Sequence, residues 1–407
     1  MYLGRNQLRE ARAALEDLSS SFLALRLSSI REPSLASGLA GLALAYVALD
    51  AAFPGAGHAA RAQRVLSRAI EGLANSTPSP SLYSGFTGIA WVAELLAGDP
   101  NAAPEDDVNA EIDTALEAYL AASPWKGPYD LIDGVVGIGV YALERMPRSS
   151  AKRLLALAVS RLQETARPKR PGIAWQSDPR WIPPQWRRTT GPDWNLGVAH
   201  GVPGAVAMLG RVAAAAVDPS TQKTACALVD GAVAWLLAQE LPPHADGRFG
   251  YRVARGVSRS PARLAWCYGD AGIAAALLVA ARAMGERAWG RAALRIARHA
   301  AARTEATAGV MDAGLCHGAA GLAHIFHRIY LATGEENIAA AARTWFRRTL
   351  AMRTPGQGFA GFRTYHAMEP AWRGEPGFLT GSAGVTLALL AATTDSDCAW
   401  DRALLLS

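Results

Sequence analysis

One short pattern governs what this chain can fold into: a polar residue, then Gly-x-x-Gly, then an unbroken apolar run, seven times in 407 residues. The copies are SGLAGLALAY from Ser37, SGFTGIAWVA from Ser84, DGVVGIGVYA from Asp133, HGVPGAVAML from His200, YGDAGIAAAL from Tyr268, HGAAGLAHIF from His317 and TGSAGVTLAL from Thr380. Their first glycines (Gly38, Gly85, Gly134, Gly201, Gly269, Gly318, Gly381) lie 47, 49, 67, 68, 49 and 63 residues apart. One Gly-x-x-Gly says little in an alanine-rich chain; seven in order are the signature of a repeat architecture. Glycines three apart share a helix face and admit close backbone approach. The apolar run that follows is hydrophobic nearly all round, as in a helix buried on every side. The stretches between, such as Ala60–Leu73 and Gly290–Arg303, are amphipathic and rich in arginine, and read as outer helices with one wet face.

One inner and one outer helix per repeat predicts an all-α fold, a double-layered α/α toroid of seven inner and seven outer helices, as a single domain over residues 1–407. The long third spacing holds a Pro/Trp/Arg-rich insertion, Pro168–Trp194, readable as a small peptide-gripping module or as a structured loop. A second connection, Leu241–Pro261, reads as a flap leading into the fifth repeat.

Half the residues are hydrophobic, enough for a large helical core. The net charge of +6 sits on scattered arginines, with lysine only at Lys126, Lys152, Lys169 and Lys223. Without a basic stripe, a nucleic-acid groove is not expected, whereas a mildly acidic peptide partner is compatible. Four cysteines without tight spacing predict a reduced, cytoplasmic protein with at most one thiolate site. The N-terminus reads as a charged amphipathic helix and not a signal peptide. Leu35–Leu49 is uncharged but short and interrupted by glycine, so at most peripheral membrane association is expected.

Because every inner helix begins alike, Ser37, Ser84, Asp133, His200, Tyr268, His317 and Thr380 are expected on one rim, where a pocket can form. Two rim positions follow a cysteine, Cys267 and Cys316, one repeat apart. From mid-helix, adjacent Cys316 and His317 would diverge by about 100°. In the turn before a helix they can converge. Two thiolates and one imidazole suit zinc and leave a fourth position open, the catalytic rather than the structural arrangement. Packing is the plainer reading for a random pair of buried cysteines, but equivalent repeat positions favour the metal. Cys226, Cys398, His324 and His327 read as core residues, and His58, His244, His299 and His366 carry no local signal. His200 could move a proton at neutral pH or cap a helix. Of Asp130 and Asp133, one could be a helix cap, and Asp133 fits that role better.

The WCYG turn around Cys267 and the CHG turn around Cys316–His317, set in a repeat that runs nearly the whole chain, resemble the lanthionine synthetase C family of cyclases. The resemblance implies an α/α toroid with one Zn2+ per chain, held by Cys267, Cys316 and His317. It implies His200, in its AHG motif, and Asp130, in YDLIDG, as catalytic residues, with Arg263 and Tyr268 beside Cys267 as further contributors. The implied reaction is intramolecular addition of peptide cysteine thiols to dehydroalanine or dehydrobutyrine, forming lanthionine or methyllanthionine thioether rings in antibiotic biosynthesis. A dehydrated precursor peptide is then the substrate, and a lanthipeptide dehydratase and a transporter are the partners it admits. Three other readings stay open: addition of a free thiol such as glutathione, a non-catalytic peptide-binding zinc scaffold, and a zinc prenyltransferase. The last normally uses a carboxylate ligand and fits the CHG turn poorly.

Overall fold

The computed structural model describes residues 3–73, 79–99, 106–181, 191, 193–366, 368–395 and 398–407. Residues 182–190 and 192 of the Pro168–Trp194 insertion lie outside that set. The chain divides into two compact units: Met1–Ser79, Tyr83–Leu96 and Gly309–Trp400 form the first, and Pro80–Leu82, Ala97–Ala308 and Asp401–Ser407 the second.

All seven apolar runs are helices, each starting directly after its first glycine: Leu39–Ala52, Phe86–Ala97, Val135–Glu144, Val202–Ala214, Asp270–Met284, Ala319–Thr333 and Ser382–Thr393. They are buried on every face, with Val202 to Gly210 and Ser382 to Ala392 buried without a break. The stretches between form His58–Leu73, Ala110–Leu120, Ser149–Thr165, Pro219–Leu237, Arg287–Ala302 and Glu336–Ala351. Each buries only a stripe; in Arg287–Ala302 it is Ala293, Ile296, Ala297 and Ala300. The N-terminal helix Arg5–Ala24 does the same with Leu8, Ala11, Leu15, Leu18 and Phe22, and packs on Ser382–Thr393 and Glu336–Ala351 within the first unit. It supplies the seventh one-sided helix.

The glycine pair serves a purpose different from helix–helix approach. In six of the repeats the chain doubles back before the helix, so that its own carbonyl lies on the second glycine. A Cβ would stand 2.3 Å from Leu35 O at Gly41, 2.4 Å from Val198 O at Gly204, and 1.8 Å from Leu315 O at Gly321. That fold-back also caps the helix. First-turn N–H groups donate to carbonyls seven residues earlier, as in Leu39 N to Glu32 O (2.9 Å), Val136 N to Tyr129 O (3.0 Å) and Ala319 N to Asp312 O (2.9 Å). Helix starts normally need a side-chain cap. Here glycine caps them without any side-chain bond, at Gly38, Gly134, Gly201, Gly269, Gly318 and Gly381. Asp133 is therefore not a helix cap, because backbone carbonyls already occupy the first-turn donors of its helix, and His200 turns its Nδ1 to Asp130 instead. Close approach between inner helices occurs instead at glycines outside the motif, such as Gly210 against Ala280.

Two residues before each rim position stands an apolar side chain: Leu35, Leu82, Leu131, Val198, Trp266, Leu315 or Phe378, none more than 2% exposed. Within the second unit, Leu82 fills the space left by Gly137 and Val198 that left by Gly272; within the first, Leu315 lies on Gly384 and Phe378 on Gly41. These four turns are thus keyed into the next repeat. Backbone bonds reinforce the keying between equivalent positions: Cys316 N to Leu379 O (2.8 Å), Leu379 N to Ala36 O (2.8 Å) and Ala36 N to Tyr83 O (2.9 Å) in the first unit, Ile132 N to Ala199 O (3.3 Å) in the second.

Among the described residues, three short antiparallel pairs sit in the connections. Arg167–Pro168 pairs with Ile173–Ala174, Asp193–Asn195 with Arg252–Ala254, and Thr364–His366 with Ala371–Arg373. Among the described residues, no helix is long and apolar enough to cross a membrane.

Candidate functional site

In the second unit, the turns before two helices carry His200 and Cys267–Tyr268, and the turn before a third carries Asp130 and Asp133. His200 Nδ1 lies 2.8 Å from Asp130 Oδ2, and the other carboxylate oxygen, Oδ1, accepts from the Asp133 backbone N–H at 2.8 Å. The carboxylate is thereby fixed at both oxygens. Donation from Nδ1 to Asp130 leaves Nε2 as the atom available to a substrate. Burial works against a charged ring, but the hydrogen bond and charge of Asp130 outweigh it. Asp133 and Cys267 add to that, so the His200 pKa is raised. The ligand atoms of Asp130, Asp133 and His200 lie within 4.8 Å of one another. The Tyr129 hydroxyl points at the His200 carbonyl oxygen, 3.5 Å away.

Around Cys267 the second unit is built tightly. Cys267 is 8% exposed, and its carbonyl lies against Gly197, where a Cβ would stand 2.3 Å from it. Tyr268 accepts a bond from Asn195 Nδ2 at 3.0 Å and stacks obliquely on Tyr251, centroids 5.3 Å apart. Burial pushes its phenol up to about 12, so it stays protonated at neutral pH. Asn195 is held in turn by Gly197 N, 2.8 Å from its Oδ1. The Arg263 backbone N–H donates to Tyr251 Oη at 3.1 Å. Arg252 pairs with Asp193.

Leu241–Pro261 is anchored rather than free. Asp270, fully buried, accepts from Arg248 N (3.0 and 2.9 Å) and Phe249 N (3.0 Å). Arg252–Ala254 is paired in a strand. Burial raises the Asp270 pKa against the pull of those donors, Arg303 and His299.

In the first unit, Cys316 and His317 occupy the turn before Ala319–Thr333, both partly exposed. The charge of Cys316 bears on Tyr83, which is 1% exposed and, chiefly through burial, has its pKa raised well above the usual value. Two residues before Cys316, Gly314 N donates to Asp312 Oδ1 at 3.1 Å, while Asp312 Oδ2 accepts from Tyr365 N at 3.0 Å. His324 and His327 are core residues, the former packed on Trp400 at 4.6 Å and the latter beside Phe346. Cys398 is buried, whereas Cys226 is partly exposed on its helix.

Asn195, Tyr251 and Asp270 were not singled out from the sequence, yet two had a signal. Asp270 takes the first helical position, where the other repeats carry Leu39, Phe86, Val135, Val202, Ala319 and Ser382. Asn195 and Asp312 both stand five residues before a rim residue and two before a glycine, the spacing of a side chain bonding its own backbone. Tyr251 lies in a connection outside the repeat and carried none.

Comparison with known proteins bears on this arrangement. The family model for lanthionine synthetase C-like proteins matches residues 29–405. Nisin cyclase superposes with a TM-score of 0.70 at 19% identity, covering 99% of this chain and 98% of its own. At that identity the likeness concerns the fold, and it puts the chain in the α/α toroid class that the repeat predicts. An inactive variant of an α-1,6-mannanase of Salegentibacter sp., in complex with α-1,6-mannotriose, follows at a TM-score of 0.44 and 12% identity, over 97% of this chain and 99% of that one. No curated protein matches the chain. With the family model spanning all but the two ends, the chain belongs to the lanthionine synthetase C-like family.

Proposed function

We propose that this protein is a zinc-dependent lanthipeptide cyclase. It would join peptide cysteine thiols to dehydroalanine or dehydrobutyrine in the same dehydrated precursor peptide. The observation that carries the reading is the His200–Asp130 pair at 2.8 Å, in a chain of this family whose equivalent turns bear Cys267 and Cys316–His317. Two thiols and an imidazole form a donor set that fits zinc with one position to spare. Cys267, Cys316 and His317 would hold the ion, which when bound lowers the pKa of a substrate thiol so that it reacts at neutral pH.

The chain's own residues account for the proton and the charge. The thiolate adds to the β-carbon, a C–S bond forms, and the alkene electron pair passes onto the α-carbon and its carbonyl. His200 delivers a proton from Nε2 to the α-carbon, and Asp130 keeps the ring charged and oriented until then. Arg263 would stabilise the oxyanion. Tyr268, protonated at neutral pH, would act as a hydrogen-bond donor and not as a base.

Metal analysis and turnover together test this. Wild-type protein is expected to bind about one zinc per chain, and Cys316→Ala to lose both zinc and cyclisation of a peptide containing cysteine and dehydroalanine. His200→Asn should keep zinc while losing roughly 10²- to 10⁴-fold in rate. Cyclisation by zinc-free Cys316→Ala protein would refute the proposal. Glutathione addition without ring closure would point to the free-thiol reading.

A further inference from the structure

A cavity of about 360 Å³ lies in the second unit, beside the loop that carries Asp130. Trp125, Tyr129 and Trp175 line it, and all three are buried to 8% exposure or less. Lys126, Arg167 and Arg180 line it as well, and all three are exposed. Arg180 is neutralised by Asp178 at 2.6 Å. Lys126 and Arg167 have no ion-pair or side-chain hydrogen-bond partner among the described residues.

The platform under Lys126 is rigid. Trp125 folds back over Gly127, where a Cβ would stand 2.7 Å from its ring. Its backbone N–H is held by Glu164 at 2.9 Å, its indole N–H reaches Pro128 O at 3.3 Å, and its ring meets Tyr119 edge-on at 5.1 Å. Trp175 donates to Leu162 O at 2.8 Å and stacks on Tyr129, centroids 6.0 Å apart. Two unpaired cations thus stand over a fixed aromatic floor. Such an arrangement favours a carboxylate, held by cations whose footing the buried rings fix.

We propose that this cavity is a subsite for an acidic segment of the substrate peptide, with Lys126 and Arg167 binding its carboxylates. Its position identifies the occupant, because Tyr129 both lines the cavity and immediately precedes Asp130, the partner of His200. A peptide seated there lies on the loop that orients the proton donor. The peptide's identity as substrate rests on the cyclase reading above; the preference for acidic peptide does not.

Fluorescence anisotropy of the full-length protein tests the proposal, using a fluorescein-labelled peptide with an Asp-Leu-Asp segment and neither cysteine nor dehydroalanine. Its Asn-Leu-Asn twin is the control. The Asp peptide is expected to bind roughly tenfold more tightly, as two partly screened ion pairs would give. The preference should vanish in the Lys126→Glu/Arg167→Glu double variant and survive in Arg64→Glu/Arg287→Glu, whose exposed charges do not line the cavity. Both cavity cations are exposed, so these variants should fold, as circular dichroism can verify. Equal binding of the two peptides, or a preference that survives the cavity reversal, would overturn the proposal. So would competition by free succinate at the peptide's own concentration, since a small dicarboxylate would then be the better occupant. If the preference holds while the wild type fails to cyclise a peptide containing cysteine and dehydroalanine, the cyclase reading falls and the acidic-peptide subsite stands.

Discussion

The turns bearing Cys267 and Cys316 occupy the same place in successive repeats, yet they are built differently. Both put an apolar residue immediately before the cysteine, Trp266 and Leu315, each 1% exposed, and both end on a capping glycine. At Gly318 the backbone is ordinary, with φ −104°; at Gly269 it is left-handed, with φ +87°. The Cys316 turn is tied by its own N–H to the next repeat, at Leu379 O. The Cys267 turn is followed by Asp270, which holds Arg248 and Phe249 of a long connection, and by way of that connection Tyr251 meets Tyr268. The repeat frame is therefore common, and the irregular connection makes one turn a more elaborate site than the other.

The largest effect expected from this difference is at Gly269. Gly269→Ala would force a left-handed conformation on a residue with a Cβ, 2.0 Å from Arg263 O. It should cost about 4 kcal/mol or more. Gly318→Ala meets a comparable clash without the φ penalty and should cost less, as the two thermal midpoints would reveal. Equal midpoints would mean that the backbone difference has no energetic weight.

The buried side chains before the two cysteines come next. Trp266→Ala empties a large volume and strips Leu404 O of its 2.8 Å donor, for about 3–5 kcal/mol; Leu315→Ala should cost about 2–5 kcal/mol. Denaturant titration orders the two, and a loss below about 1 kcal/mol at Leu315 would contradict the keyed-turn description.

A pH profile sharpens the comparison on the chemical side. A proton donor works only while protonated, so activity falls as pH rises through the His200 pKa. Burial depresses that pKa and Asp130 raises it, with a net rise. Asp130→Asn removes the raising charge, so the alkaline limb of kcat should move to lower pH, with activity at pH 8 down roughly tenfold. An unmoved limb would remove His200 as the donor.

The smallest effect is expected at Tyr268→Phe, which leaves Asn195 Nδ2 without its acceptor and should cost about 1 kcal/mol. Zinc content should be unchanged, which separates the polar surroundings of Cys267 from ligation itself.

Helical class, the seven buried helices and their common start were legible in the sequence, because each depends on side chains a few residues apart. Burial on all faces needs an apolar residue at every position of a run, and a doubled-back turn needs glycine where its carbonyl lies. The same regularity marked Cys267, Cys316, His317 and His200, since polar or sulfur side chains stood out at fixed places in an otherwise small and apolar pattern, whereas Asp130 was marked only by the family resemblance of its YDLIDG motif. Two local readings gave way in the structure. Asp133 is not a cap, because backbone carbonyls seven residues back satisfy its helix start, while His200 pairs with Asp130 instead, and the motif glycines admit a loop rather than a second helix. Asp270's grip on Phe249, Tyr251 against Tyr268, and the aromatic floor beneath Lys126 join segments whose spacing follows no period. No neighbouring residue encodes such contacts. They exist only once packing has fixed the connections, so tertiary structure alone decided them.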